Sequence, residues 1–341
     1  MQFPRFPFLH YVGRISSVRT AALSLMAAVS LFSATPRTAM ASSYPDRPVT
    51  IVVPFAPGGG TDIIARIVAE KLGAKFNQSF IVQNLPGAGG TIGAASVARA
   101  KPDGYTLLVY HIGMISSTYQ FKLPYDPVKD FTPITLLTSA ANLVAINPSL
   151  PINNLQEFIA YAKAHPNDLN FGSSGIGGAD HLAGELLNTV ADIRTTHVPY
   201  RGGGPATVAA VSGEVQFVMG TASQVVGMVK ADRLKALAVM QKKRIASLPD
   251  VPTTAEAGLP ELDYSTWFAL WGPANVPAEI VLTLNKAVAE VLAQDDVRAK
   301  LAEVGVEPVF TTPQEFETMF KAEGVKWDKI LKKVFADKKP Q

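Results

Sequence analysis

Two glycine-rich turns limit what this chain can fold into: Pro54-Phe55-Ala56-Pro57-Gly58-Gly59-Gly60-Thr61-Asp62 and Phe171-Gly172-Ser173-Ser174-Gly175-Ile176-Gly177-Gly178. Each follows a short β-rich run and opens into a helical pattern. A strand that turns through glycine into a helix aims backbone N–H groups, hydroxyls and the positive end of a helix dipole at one spot, where an anion can sit. One such turn is weak evidence, because glycine is the default wherever φ must be positive. Two of them, in separate halves of the chain, predict two lobes gripping an anionic ligand between them.

The amino-terminal stretch carries a different signal. Residues 1–41 hold Arg5, Arg14, Arg19 and Arg37 and no acidic residue. An apolar run over residues 20–32 is followed by Ala39-Met40-Ala41, the small-x-small pattern that a signal peptidase cuts. The run is too short to span a bilayer, so residues 1–41 are expected to be an export signal peptide, with a membrane anchor as the alternative. The mature chain is then expected in the periplasm. Cysteine is absent from the sequence, which removes lipid attachment, disulfides and thiolate metal sites from consideration. The full chain has 31 basic and 28 acidic residues; without the four leader arginines the balance is 27 to 28, a net charge near −1. A nucleic-acid partner thereby loses its main support. The chain beyond the leader is long and apolar enough to fill two cores rather than one.

Short apolar runs alternate with amphipathic stretches, the pattern of an α/β fold. Residues 49–55 are β-branched and continuous enough for a buried parallel strand. Residues 61–75 place Ile64, Ile67, Val68 and Leu72 on one helical face. Strands are predicted at 80–82 and 105–110, with a helix over 90–100 between them. That order makes a doubly wound half-sheet, which binds ligands beyond the C-terminal ends of its strands. A second α/β series begins after residues 134–137, with helices over 155–164 and 179–190 and another ending at Ser212. Helices over 278–292, 295–304 and 313–334 end the chain and are expected to return to the first lobe, which otherwise lacks cover. The predicted division is residues 42–138 plus 268–341 in one domain and 139–267 in the other, joined by two crossovers.

Several blocks together resemble the Bug-type substrate-binding proteins of tripartite tricarboxylate transporters. They are Val53-Pro54-Phe55-Ala56-Pro57-Gly58-Gly59-Gly60-Thr61-Asp62, Asn84-Leu85-Pro86-Gly87-Ala88-Gly89-Gly90-Thr91-Ile92-Gly93, and Pro102-Asp103-Gly104-Tyr105-Thr106-Leu107. Gly172-Ser173-Ser174-Gly175, His181-Leu182-Ala183-Gly184-Glu185, Val198-Pro199-Tyr200-Arg201-Gly202 and Leu248-Pro249-Asp250-Val251-Pro252-Thr253 extend the likeness over essentially the whole mature chain. The resemblance implies a two-domain periplasmic binding protein, a Venus flytrap of type II-like topology that closes on a carboxylate. It implies that the loops from Gly58 to Asp62 and from Ser173 to Gly177 hold that carboxylate by N–H groups, hydroxyls and waters. Relatives often carry an acid after the strand that ends near Met219, where this chain has Gly220-Thr221; that departure weakens the case for an α-amino-acid ligand.

The ligand-binding candidates are Phe55, Gly59, Gly60, Thr61, Asp62, Gly90, Thr91, His111, Ser173, Ser174, Gly175, His181, Tyr200 and Gly220. Thr61 is expected to be an N-cap whose hydroxyl faces helix or ligand. Asp62 reads as a helix-start acid that orients the anion site, in part through water. His181 is expected to brace a loop rather than to act as a hydrolase base, and Gly-Ser-Ser-Gly lacks the spacing of a nucleophile elbow. His111 is placed just past the third strand, pointing toward the ligand. Tyr200-Arg201 either presents a cation to the far end of a diacid or is simply exposed. Trp267, Phe268 and Trp271 are read as a crossover strand and core. Residues 87–93 fail the G-x-G-x-x-G register, so no nicotinamide is expected. Neither a cofactor, a metal nor catalysis is expected. The expected function is monomeric capture of a di- or aromatic carboxylate for the membrane subunits of a tripartite transporter. Presentation of the same ligand to a sensor kinase is the alternative.

Overall fold

The computed structural model describes Gln2 and residues 44–334; the export-signal reading of residues 1–41 lies outside them. The first sheet has six strands: β1 (Val49–Val53), β2 (Phe80–Asn84), β3 (Thr106–His111), β4 (Phe131–Ala141), β10 (Ser265–Pro273) and β11 (Val306–Pro308). Their order is β11-β4-β10-β3-β1-β2. β1 runs parallel to β2 and β3, as the half-sheet reading requires. β10 returns from the second half of the chain and inserts antiparallel between β3 and β4, the type II-like arrangement. The second sheet follows the order β7-β6-β8-β5-β9, built from β5 (Leu143–Ile146), β6 (Asn170–Ser173), β7 (Thr196–Pro199), β8 (Phe217–Val218) and β9 (Lys235–Val239).

The helices cover these sheets with the faces their sequences dictate. α1 (Gly60–Phe76) buries Ile64, Ile67, Val68 and Leu72, each contributing on the order of 1.5–3 kcal/mol by leaving water. α2 (Thr91–Ala98) starts later than the sequence suggests, because Gly90 has φ +100 and so stands outside the helix as its N-cap. α3 (Gly113–Ser116) is a single turn after β3. The second lobe carries α4 (Leu155–Ala164), α5 (Ala179–Ala191), α6 (Gly203–Ser212) and α7 (Ala222–Lys230). α8 (Ala278–Leu292), α9 (Asp295–Glu303) and α10 (Pro313–Val334) return to the first lobe. There Phe316 and Phe320 of α10 pack on Trp271 of β10 at 4.5 and 4.8 Å. Trp271 is thus a core residue, as expected.

The two sheets join at a very short link. β4 ends at Ala141 and β5 begins at Leu143, so the first crossing is Asn142 alone. Its buried side chain donates to the Met219 carbonyl at 2.9 Å and accepts from Thr266 Oγ1 at 2.7 Å. Thr266 lies at the start of β10, on the second crossing, so one amide ties both passes of the chain together.

Candidate functional site

The turn after β1 is held in shape by Asp62. Its carboxylate accepts from the Gly58 N–H at 3.0 Å, from Arg66 Nε at 3.0 Å and from Asn84 Nδ2 at 2.9 Å. Burial alone would raise its pKa; the bonds from Arg66, Asn84 and Gly58 and the Arg66 charge outweigh burial and hold it below the ordinary value. The turn after β6 uses the same device. Asp180, in the first turn of α5, accepts the Ser174 N–H at 2.7 Å, the Ser174 hydroxyl at 2.6 Å and the His181 N–H at 3.1 Å. Here burial prevails over the hydrogen bonds, and the Asp180 pKa is raised.

These turns face each other across a closed cleft. Phe55, Gly59, Gly60, Thr61, His111 and Phe268 of the first lobe line a cavity of about 20 Å³. Ser174, Ala179, Asp180, Gly203, Thr221 and Gln224 line it from the second lobe, with Thr266 at the crossing. That volume holds about one water-sized group. Lysine and arginine are missing from the lining among the described residues. Around the cavity the lobes meet backbone to backbone. The Ala56 N–H donates to the Arg201 carbonyl at 2.9 Å. A Cβ on Gly59 would lie 3.2 Å from the Gly203 nitrogen, and one on Gly89 only 2.1 Å from the Ile176 carbonyl oxygen. Ser116 Oγ donates across the seam to the Gly177 carbonyl.

The chain matches TctC, the tripartite tricarboxylate transporter family receptor, over residues 64–335. It belongs to that family. An Agrobacterium vitis relative, the UPF0065 protein in the TAR-I ttuE-ttuC' intergenic region, is 37% identical over 85% of each chain. Protein BugT of Bordetella pertussis is 32% identical over 92% of this receptor and 98% of BugT. Among solved structures, the periplasmic binding protein BugD superposes with a TM-score of 0.82 at 32% identity, covering 85% of the receptor and 98% of BugD. R. palustris Rpa4515 with adipate gives 0.82 at 35% identity, over 85% and 98%. MatC from Rhodopseudomonas palustris with bound malate gives 0.81 at 36%, over 84% and 100%. The two-domain binding-protein fold is therefore established for this receptor.

Within the receptor, the cavity brings together six of the sequence candidates: Phe55, Gly59, Gly60, Thr61, His111 and Ser174. The others stand behind it or at its edge. Asp62 is occupied with the turn itself. Ser173 is fully buried, its Oγ shared between the Gly175 backbone and His197 Nε2. His181 accepts the Gly177 N–H at Nδ1, 3.0 Å, and stacks on His197 with centroids 3.9 Å apart, bracing the loop from the rear. Gly175 and Tyr200 line an outer crevice of about 250 Å³ that also includes Ser174 and Arg201. The Tyr200 hydroxyl is turned to Glu214 at 2.7 Å. Gly90 abuts Tyr110, since a Cβ there would lie 2.6 Å from the Tyr110 hydroxyl, and Thr91 opens α2. Gly220 faces Val225, 2.4 Å from where its Cβ would be.

Two local expectations are corrected. Thr61 is not the N-cap: Gly59 is, with extended φ/ψ, and Thr61 sits inside the first turn. His111 is the last residue of β3 rather than a residue past it. The cavity residues absent from the sequence candidates are Ala179, Asp180, Gly203, Thr221, Gln224, Thr266 and Phe268. Asp180 had a signal, because Gly178-Ala179-Asp180 repeats the Gly-x-Asp register of Gly60-Thr61-Asp62. Phe268 does double duty as a β10 core residue and a cavity wall.

Proposed function

We propose that this receptor captures a small organic carboxylate, a di- or aromatic acid, in the periplasm and delivers it to the membrane subunits of a tripartite transporter. Residues 1–41 act as its export signal, and it works as a monomer. One observation carries the reading: two glycine turns, one per lobe, each pinned by its own aspartate, converge with helix N-termini on a closed cavity. Gly59, Gly60 and Thr61 present N–H and hydroxyl donors from one side, while Ser174, whose N–H and hydroxyl are both given to Asp180, walls the other. Oriented dipoles replace the water shell of the carboxylate, and closure lowers the dielectric around each contact. A cavity of about 20 Å³ takes in a diacid only after the lobes part, so capture and closure are one event. The adipate of Rpa4515 and the malate of MatC support the ligand class.

A thermal-shift screen of residues 42–341 against diacids, aromatic acids and amino acids tests this. A true ligand at 100 times its Kd stabilises the fold by about 2.7 kcal/mol, a clear rise in Tm. Shifts with aspartate or glutamate but with no plain diacid or aromatic acid would overturn the ligand class. A flat response to every acid would overturn the receptor reading itself.

A further inference from the structure

His111 lines the cavity from the end of β3 with its ring 3% exposed. Three aromatic rings fix it. Phe55 stacks on it at 4.9 Å, while Tyr110 and Phe268 abut it at 5.1 and 6.0 Å. Its Nδ1 accepts the Gly113 N–H at 2.9 Å, so the neutral ring carries its proton on Nε2. That Nε2–H has no hydrogen-bond partner among the protein's described residues and is left to whatever fills the cavity that His111 lines, where a ligand that displaces water without accepting from it would leave the donor unmade. The titratable groups around the ring give it no free counter-charge. The Tyr110 hydroxyl donates to the Gly89 carbonyl at 2.7 Å. Asp180, on the facing wall, has its oxygens engaged by Ser174 and the His181 N–H. Burial pushes the His111 pKa down to about 3, which keeps the ring neutral.

We infer that His111 determines specificity in this cleft: locked in one tautomer, its Nε2–H donates to a ligand oxygen that can only accept. A carboxylate, keto or ether oxygen satisfies it. An ammonium placed there would set donor against donor and leave the buried N–H unpaired, so α-amino acids are rejected at this point. This rests on the carboxylate-receptor reading and adds to it the hydrogen-bonding character of the ligand atom at one position.

Two measurements on the mature receptor test it. The first is histidine nitrogen NMR without ligand, which reads the tautomer directly. A proton on His111 Nδ1, or an imidazolium near neutral pH, overturns the inference. The second is calorimetric titration with malate and adipate as probes, comparing wild type with His111→Asn, His111→Gln and His111→Phe. Asn keeps an acceptor for Gly113, but its amide N–H groups stop short of the Nε2 position; Gln keeps a donor near the Nε2 position; Phe keeps only the ring stack. The Asn and Phe variants should bind about tenfold or more weakly, and the Gln variant within about threefold of wild type. Binding by the Asn variant as tight as by the Gln variant overturns the donor role and leaves the receptor reading in place. Failure of the wild type to bind these or any other diacid or aromatic acid overturns the receptor reading, and this inference with it. Where a variant does not fold, the tautomer spectrum decides.

Discussion

Asp62 and Asp180 occupy matching places in the two lobes, in the first turn of the helix after a glycine turn, and each ties that turn down through a backbone N–H. Their electrostatics are opposite. Asp62 keeps a cation, Arg66, and an amide, Asn84, on the side away from the cleft. Asp180 is buried with neutral donors only. The first turn is therefore balanced in charge and offers the cavity mainly its N–H dipoles. The second turn holds a carboxyl at the cavity wall whose ionisation is disfavoured by burial. One motif thus gives the cavity two walls of different electrostatic character.

The largest effect should come from filling the glycine turns. A Cβ on Gly60 would lie 2.5 Å from Thr221 Oγ1 and 2.8 Å from Ser223 Oγ. Gly175 has φ +122 and a Cβ there would come within 3.3 Å of the Gly89 Cα across the seam. Gly60→Val and Gly175→Val should each lower carboxylate affinity about a hundredfold in calorimetry. A loss confined to one of them would show that the lobes are not equal partners.

A smaller effect separates the two aspartates. Asp62 is held below its ordinary value of 3.8, so its stabilisation is present above pH 3.8 and is lost as the pH falls through its folded value. Asp180 is held above 3.8, so its contribution is present below pH 3.8 and is lost as the pH rises through its folded value. In denaturant unfolding, Asp62→Asn should cost about 1–2 kcal/mol at neutral pH, a figure kept low because the Arg66 side chain is 51% exposed. That penalty should shrink on acidification, whereas the Asp180→Asn penalty should grow. Parallel trends would break the comparison. The smallest effect is expected at Tyr200, whose hydroxyl is spent on Glu214 outside the cavity. Tyr200→Phe should leave carboxylate affinity within about twofold and stability within about 0.5 kcal/mol; a tenfold loss would bring the outer crevice into the site.

Local chemistry was legible in the sequence, and its three-dimensional consequences were not. Gly58-Gly59-Gly60 and Ser174-Gly175 announce turns because backbone freedom and helix starts are properties of short segments. The buried face of α1 is equally local, set by the spacing of Ile64, Ile67, Val68 and Leu72. Which of two adjacent serines meets the cavity is another matter. Ser173, the last residue of β6, points into the lobe toward His197, while Ser174 turns to Asp180 and the cleft. Strand alternation decides that, and a one-residue slip reverses it. Phe268 and Thr266 reach the site from far along the chain through β10. The three residues of β11, paired antiparallel with β4, are too few to carry a periodic signal.

The insertion of β10 has a consequence for how the molecule is made. The second sheet draws on one continuous stretch, from Leu143 to Val239. The first sheet does not: β10, two strands in from the β11 edge, is synthesised after the whole second lobe. Until residues 265–273 arrive, β3 has a free edge over Leu108, Val109, Tyr110 and His111 and lacks its antiparallel partner. An apolar edge of that kind invites pairing with other chains. The order of synthesis therefore favours a second lobe that is finished first and a first lobe that waits for its own C-terminus.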